Sequence, residues 1–451
     1  MNVIALVDGE HYPPVTRWGL ERAAEYGLTV VAAVAIGGAE KLSAEGDLPL
    51  GSVQVVQGEA DPRTALRDAI ASFRPHAVLD LSDEPVAGYE RRMELAAVAL
   101  AAGVSYMGPD FRFDPPITGN PLPVPSLAVI GTGKRVGKTG VAAHAARLSA
   151  ASGHRPIIVA MGRGGPAHPV MAGPQDVELP ALLARIEAGD HAASDFLEDA
   201  LTAGVTTVGA RRCGGGLAGK PFASNVEDAA AVAASMNPDL IILEGSGASV
   251  PTVPWDAGIL VMPESLPVEH VRGYFGPFRL LLSDLAVIIM ENGPHSGPDN
   301  LSTLYPEIRR LHADIKVVVA ELLPAPLADV RGKDALFTTT ARPQLANRQA
   351  AHLEQSAGCR IVMTSPHLSH RQRLEKDLAA APAFDVLLTE LKGAAVDVAA
   401  RRALDRGAEV VFVDNRPSTV EGDGHVDDLM RETAALARTR GMERLRTERN
   451  Q

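Results

Sequence analysis

Residues 131–139 read Gly-Thr-Gly-Lys-Arg-Val-Gly-Lys-Thr. They follow an apolar run, Ser126–Ile130, and open an alanine-rich stretch from Gly137 that suits a helix. A strand, a glycine loop and a helix in that order make a phosphate cradle. The glycines let backbone N–H groups turn toward a phosphate, and the helix N-terminus adds partial positive charge. In such a loop Lys138 reaches the β- and γ-phosphates of a nucleoside triphosphate, and the Thr139 hydroxyl holds Mg²⁺. Gly133, Lys134, Arg135, Val136, Gly137 and Gly140 complete the expected nucleotide-binding set. The spacing departs from G-x-x-x-x-G-K-[ST]: Thr132 stands five residues before Gly137, between glycines at 131 and 133. A variant class of loop is therefore expected.

A second signal is Asp239-Leu-Ile-Ile-Leu-Glu-Gly-Ser-Gly-Ala, an apolar strand ending in Glu244 and a small-residue turn. In phosphate-loop folds the neighbouring strand ends in a carboxylate near the metal, so Glu244 is the expected partner of Thr139 in holding Mg²⁺. Two further segments offer arginine among glycines. One is Gly162-Arg163-Gly164-Gly165-Pro166, and the other runs from Arg211 and Arg212 through Cys213 and three glycines to Lys220. Guanidinium groups bind phosphate in a bidentate fork, and adjacent like charges call for an anion. Both segments read as anion-binding loops at strand ends, where open α/β sheets bind their ligands.

Weaker candidates surround these. His191-Ala-Ala-Ser-Asp195-Phe-Leu-Glu198-Asp199 puts Asp195 and Asp199 on one helical face, either as positioning or metal carboxylates or as a solvated cap. Asp8-Gly9-Glu10-His11 ends the first strand, where a substrate loop would lie, so Asp8 and His11 are substrate candidates. Lys392, in Thr389-Glu-Leu-Lys, is placed to close over a phosphate. Asp414-Asn-Arg-Pro417 reads as a turn. Cys213 reads as incidental rather than nucleophilic, because no histidine lies near it in sequence.

Other chemistries find no support. The 13 histidines form no H-x-x-x-H pair, and the two cysteines stand far apart, so neither zinc nor a disulfide framework is expected. No G-x-S-x-G element points to hydrolysis. A net charge of −12 argues against nucleic-acid and anionic-membrane surfaces. No apolar run is long enough to span a bilayer, and the first strand meets Asp8 too early for a signal peptide. A cytoplasmic protein is expected.

Positioning these residues requires more than one core, since 451 residues exceed an ordinary domain. Residues 1–120 alternate strands (Val3–Val7, Val30–Ile36, Ala77–Leu81) with helices (Arg17–Tyr26, Pro62–Phe73), as in a Rossmann-like α/β domain. A Pro- and Gly-rich stretch, 108–125, closes it. Residues 121–325 read as the phosphate-loop domain. Its strands are continuous apolar runs: 126–130, 156–161, 206–208, 240–243, 258–262, 285–290 and 315–322. Such runs imply a parallel sheet covered on both faces. Residues 326–451 carry further strands at 335–339, 360–364, 385–389 and 409–413, and a helix over 427–446. This α/β segment either extends the same sheet or stands apart. The fold class is thus α/β: a P-loop NTPase-type parallel sheet with α/β segments before and after it.

The motifs taken together, Gly-Thr-Gly-Lys-Arg-Val-Gly-Lys-Thr, Ala-Met-Gly-Arg-Gly-Gly-Pro (160–166), His-Ala-Ala-Ser-Asp, Arg-Arg-Cys-Gly-Gly-Gly, Glu-Gly-Ser-Gly and Thr-Glu-Leu-Lys, occur in an order that resembles the cyclic 2,3-diphosphoglycerate synthetase family over about residues 1–420. The resemblance implies an ATP- and Mg²⁺-dependent ligase that joins the two phosphates of 2,3-diphosphoglycerate as an anhydride, releasing ADP and phosphate. It implies catalytic roles for Lys138, Lys134 and Glu244, with Lys134 bridging the transferring group. Arg163, Arg211 and Arg212 would hold the polyanionic substrate. A homodimer is the expected assembly. The loop and the Glu-Gly-Ser-Gly turn also look like those of dethiobiotin synthetase, which likewise closes a ring with ATP. Two other readings stay open. One is a 2-phosphoglycerate kinase making the linear diphosphate. The other is a different ligase or a regulatory NTPase of the same fold, although regulatory relatives place a lysine where this chain has Thr132.

Overall fold

In a computed structural model, residues 1–38, 49–58, 60–291 and 300–450 are described. The apolar runs of the first 113 residues form a sheet of six strands: β1 (Asn2–Val7), β2 (Thr29–Ala35), β3 (Val55–Gln57), β4 (Ala77–Asp80), β5 (Ser105–Met107) and β6 (Arg112–Phe113), in the order β3-β2-β1-β4-β5-β6. All neighbours are parallel except β5 and β6. Val3 to Leu6 are wholly buried, as expected of a strand covered on both faces.

The second sheet begins with β7 (Ser126–Gly131), β8 (Pro156–Gly162), β9 (Val170–Ala172), β10 (Thr207–Cys213), β11 (Ala223–Ser224), β12 (Leu240–Glu244), β13 (Ala257–Pro263), β14 (Leu285–Met290) and β15 (Lys316–Pro326). It continues through β16 (Asp334–Thr338), β17 (Arg360–Ser365), β18 (Val386–Thr389) and β19 (Glu409–Gly422). The order is β11-β10-β8-β12-β7-β13-β14-β15-β19-β18-β16-β17, with β9 beside β10. From β10 to β15 every neighbouring pair is parallel. Leu127 and Val129 enter one core while Ala128 and Ile130 enter the other, the period-2 alternation of a strand with helices on both faces. This is the P-loop-type parallel sheet expected from the sequence.

Two stretches differ from their sequence reading. Asp414–Pro417 is not a turn: it lies inside β19, antiparallel to β15, with Pro417 opposite Leu322 and Arg416 opposite Leu323. Turn-forming composition is overridden here by an eleven-residue partner strand. Because β19 also pairs parallel with β18, it joins the strands after residue 326 to the phosphate-loop sheet. Arg211 and Arg212 are likewise not in a loop. β10 runs on to Cys213, paired through Arg211 with Gly162 and through Arg212 with Ser224.

The two sheets meet at the short helix Gly276–Leu281. Phe275 and Phe278 are wholly buried in the core of the first sheet, with the Phe275 ring edge-on to Phe113 at 4.9 Å. Among the described residues no helix is long and apolar enough to cross a membrane.

The C-terminal helix, Val426–Arg449, packs against the helix that follows the phosphate loop, Lys138–Ala151. At their contact His144 Nε2 lies 2.7 Å from Asp427, and Nδ1 lies 2.9 Å from Arg147 Nη2. Arginine can only donate, so Nδ1 accepts and the proton of the neutral ring sits on Nε2, directed at Asp427. Burial and the Arg147 charge depress the His144 pKa, against the pull of Asp427. A histidine with a lowered folded value binds fewer protons folded than unfolded. Its contribution is therefore present above the unfolded value, about 6.5, and is lost as pH falls through the folded one. Buried carboxyls with raised values act in the opposite sense, so the informative quantity is a difference between proteins. Urea midpoints of the wild type and His144→Gln are expected to draw together, or cross, as pH is lowered from 8 to 5. A constant gap would remove His144 from the account.

Candidate functional site

The phosphate loop leaves the C-terminal end of β7 and enters its helix at Gly137, whose φ of +97° is open to glycine and strained for other residues. Three residues on, a methyl group at Gly140 would lie 2.7 Å from the Asn415 carbonyl oxygen, so β19 abuts this helix closely. Lys138 is buried and its ammonium folds back to donate to Gly133 O at 2.7 Å. Burial lowers its pKa to about 8, with Glu244 and Asp195 pulling it up and Arg212 and Arg163 pushing it down. Lys138 thus stands between two carboxylates and two guanidinium groups brought in from three other strand ends and from the start of the helix Asp195–Ala203. Lys134 and Arg135 are exposed on the loop's crown, Arg135 at φ +63°, and Val136 is buried beneath it.

Thr139 and Glu244 come together across adjacent parallel strands: Thr139 Oγ1 donates to Glu244 Oε1 at 2.8 Å. Burial, then the Asp195 charge, raise Glu244 to about 7 against the Thr139 bond, Asp199 and Lys138. Asp199 is wholly buried on the helix Asp195–Ala203 and neither of its carboxylate oxygens has a donor. Burial and the facing Glu244 hold it well above the usual carboxylate range. The Asp195–Asp199 stretch is therefore turned toward the phosphate loop. His191 is exposed before the helix begins.

The arginines divide. Strand alternation sends Arg212 inward and Arg211 outward. Arg212 donates to Gly214 O at 2.6 Å and Ser246 O at 2.8 Å, while its buried Nε has no partner. A methyl group on Gly247 would lie 3.0 Å from an Nη2 of both Arg163 and Arg212, so the two guanidinium groups converge on one point beside the Glu-Gly-Ser-Gly turn. Burial and the Arg163 charge lower the Arg212 pKa, the mark of like charges held together. Arg211 lies apart from this pair: it is exposed, and its Nε donates to Gly165 O at 3.0 Å, bracing the Arg163 loop.

Three other expectations meet a different geometry. The Lys392 ammonium lies 3.0 Å from Glu198 Oε1, half-buried and paired with a buried carboxylate rather than free above the loop. Asp8 accepts from the backbone N–H groups of Glu10, His11 and Asp83 and lies 2.9 Å from His11 Nδ1. Both Asp8 and His11 thereby build the turns at the ends of β1 and β4 in the first sheet. Conversely, sequence reading passed over Arg279. It is buried, its Nη2 donates to Ala248 O at 2.6 Å and its Nη1 to Phe275 O at 3.1 Å, and burial lowers its pKa to about 10. A lone arginine in an apolar helix carries no local signal for such a role.

Known proteins bear on this geometry. Three domain descriptions of cyclic 2,3-diphosphoglycerate synthetase match in chain order: the N-terminal domain over residues 2–114, the P-loop domain over 126–320 and the C-terminal domain over 326–416. Relatives named cyclic 2,3-diphosphoglycerate synthetase match nearly end to end. That of Rubrobacter xylanophilus is 44% identical over 98% of this chain and 100% of its own. Those of Methanothermobacter thermautotrophicus and Methanothermus fervidus are 40% and 39% identical, covering 95% and 97% of this chain and 94% and 97% of theirs. Likeness to solved structures is slight: LpxK from Aquifex aeolicus aligns at 11% identity and a TM-score of 0.34 over 70% of this chain and 90% of that one, too little to argue from. Three matching domains in order, and full-length relatives at this identity, place the chain in the cyclic 2,3-diphosphoglycerate synthetase family.

Proposed function

We propose that this chain uses ATP and Mg²⁺ to close 2,3-diphosphoglycerate into its cyclic anhydride, releasing ADP and phosphate. The observation that carries the reading is the convergence of Arg163 and Arg212 beside Gly247, within electrostatic reach of Lys138. One phosphate loop suffices for a nucleotide. A second cationic cradle facing it suits a second, strongly anionic reactant.

The donor set fits Mg²⁺. Thr139 and Glu244 present oxygens to one another, and Asp199 adds two buried oxygens without donors. Among the described residues no group of three or more His, Cys, Asp or Glu side chains is placed to hold a metal. Mg²⁺ keeps several waters and takes one or two carboxylates plus phosphate, a need that Thr139 and Glu244 can meet with the nucleotide. Thr139 and Glu244 would hold it, and bound there it would neutralise phosphate charge.

The chain's own groups then have defined tasks. Lys138 steadies the γ-phosphate, with Lys134 above it on the crown of the loop. Arg163 and Arg212 hold the diphosphate so that one of its phosphates meets the nucleotide. The γ-phosphoryl group passes to an oxygen of that phosphate as its bond to ADP breaks. An oxygen of the neighbouring phosphate then attacks the inner phosphorus, and inorganic phosphate leaves. Catalysis of this kind is positioning and charge neutralisation.

The test is ³¹P NMR of the protein with ATP, Mg²⁺ and either 2,3-diphosphoglycerate or 2-phosphoglycerate. Anhydride resonances growing from the diphosphate together with ADP and phosphate are expected. Product from 2-phosphoglycerate alone, in linear form, would replace this reading with the kinase. ATP consumption indifferent to either acid would replace it with a regulatory NTPase.

A further inference from the structure

Four carboxylates lie close together beside the phosphate loop: Asp195, Glu198 and Asp199 on one helix, and Glu244 on β12. Glu198, Asp199 and Glu244 are buried while Asp195 is exposed. Such a cluster repels itself, and at its buried members each uncompensated charge favours protonation or displacement. Lys138 lies on the Glu244 side. On the other side the compensating cation is Lys392, 3.0 Å from Glu198. Glu198 itself is buried, and the other charged groups that act on it, Asp195 and Glu390, are both carboxylates.

Lys392 is itself held in place. It follows β18 by three residues, and two residues before it Glu390 is fastened on both oxygens. Glu390 Oε2 accepts from Thr340 N and Thr340 Oγ1 at 2.9 Å each, and Oε1 accepts from Asn415 Nδ2 at 2.7 Å. Glu390 also attracts the Lys392 ammonium, second to Glu198. Asn415 closes the frame, since its carbonyl oxygen is the atom that abuts Gly140 in the phosphate-loop helix. The lysine therefore spans from the C-terminal half of the sheet to the helix that carries Asp195 and Asp199.

We propose that Lys392 is a positioning residue: by pairing with Glu198 it fixes the first turns of the helix Asp195–Ala203, so that Asp195 and Asp199 face Glu244, Thr139 and Lys138. It acts through Glu198 and does not touch the phosphorylated acid. The inference rests on the reading above only for the identity of the reaction.

The experiment compares Lys392→Met, Lys392→Arg, Glu198→Gln and the double variant Glu198→Gln/Lys392→Met, each first checked by thermal melting. Two readouts are taken: kcat and KM with ATP, Mg²⁺ and 2,3-diphosphoglycerate, and the affinity for a fluorescent ATP analogue with and without Mg²⁺. Lys392→Met is expected to lower kcat by about 10²-fold, the scale of a slight misplacement of the reacting groups, with KM for the acid little changed. It is also expected to lose most of the Mg²⁺-dependent gain in nucleotide affinity. Removing the orphaned carboxylate in the double variant should restore most of both, and Lys392→Arg should retain part. Should Lys392→Met fail to fold, the double variant and Lys392→Arg carry the same comparison against the wild type. A rise in KM for the acid, with a double variant no better than Lys392→Met, would show direct contact with substrate and overturn the proposal. So would a Mg²⁺-dependent affinity unchanged by loss of the lysine. The titration needs no acid, so a wild type that binds Mg²⁺ and the nucleotide but makes no cyclic product would sink the proposed reaction and leave this inference readable.

Discussion

Lys138→Ala is expected to lower ADP production by about 10³-fold or more, the scale seen when a cation aimed at a transferring phosphoryl group is removed. The side chain is buried, and its neighbours divide into two carboxylates and two guanidinium groups. With a pKa near 8 it is largely charged at neutral pH, and a polyphosphate beside it would hold it so. Among the described residues the nearby cations are placed otherwise: Lys134 is exposed on the crown, Arg163 is exposed on its own loop, and Arg212 is engaged with Gly214 and Ser246. Arginine is not a substitute. The lysine stem already passes against Gly131, where even a methyl group would lie 2.9 Å from Lys138 Cδ. A coupled assay for ADP, with a melting curve to confirm the fold, decides the matter. Turnover within tenfold of wild type would remove Lys138 from the mechanism.

The second large effect concerns the facing cradle. Arg163→Ala/Arg212→Ala is expected to raise KM for the phosphorylated acid by about 10²–10³-fold, because each charge-assisted contact is worth about 1.5–3 kcal/mol. Affinity for ATP, measured without the acid, should change far less. Arg211→Ala is the internal control. It sits one residue from Arg212, but its guanidinium points outward to Gly165 O, so its loss should cost much less. Equal losses at 211 and 212 would mean that strand alternation does not decide which arginine meets the anion. A double variant that keeps its KM for the acid but loses ATP affinity would place the substrate elsewhere.

What could be foreseen from residues alone follows chemical locality. The phosphate loop, Glu244 and the apolar strands are each specified within about ten neighbouring residues, and strand–loop–helix order supplies their context. The pairing of Thr139 with Glu244 was within reach because a known architecture places those strands side by side. Pairings without such a template were not. Asp199 against Glu244, and Lys392 against Glu198, depend on which helix covers which strand and on the late return of β19 beside β15. Strand ends were the other weak point. Arg-Arg-Cys-Gly and Asp-Asn-Arg-Pro have the composition of loops, and only a waiting partner strand makes them extended. That single fact separates Arg211 from Arg212.

The helix Gly276–Leu281 lodges its aromatic side in one lobe, while Arg279 grips Ala248 beside the Gly247 turn of the other. A chain cut just before Ser126 would retain the whole nucleotide cradle. It would nevertheless leave Phe275 and Phe278 in water, at about 1.5–3 kcal/mol for each ring, and loosen the guanidinium that steadies the Gly247 turn, where the proposed acid would rest. The leading lobe is thus a keystone rather than an appendage: truncation would spare the grip on ATP and spoil the grip on the acid.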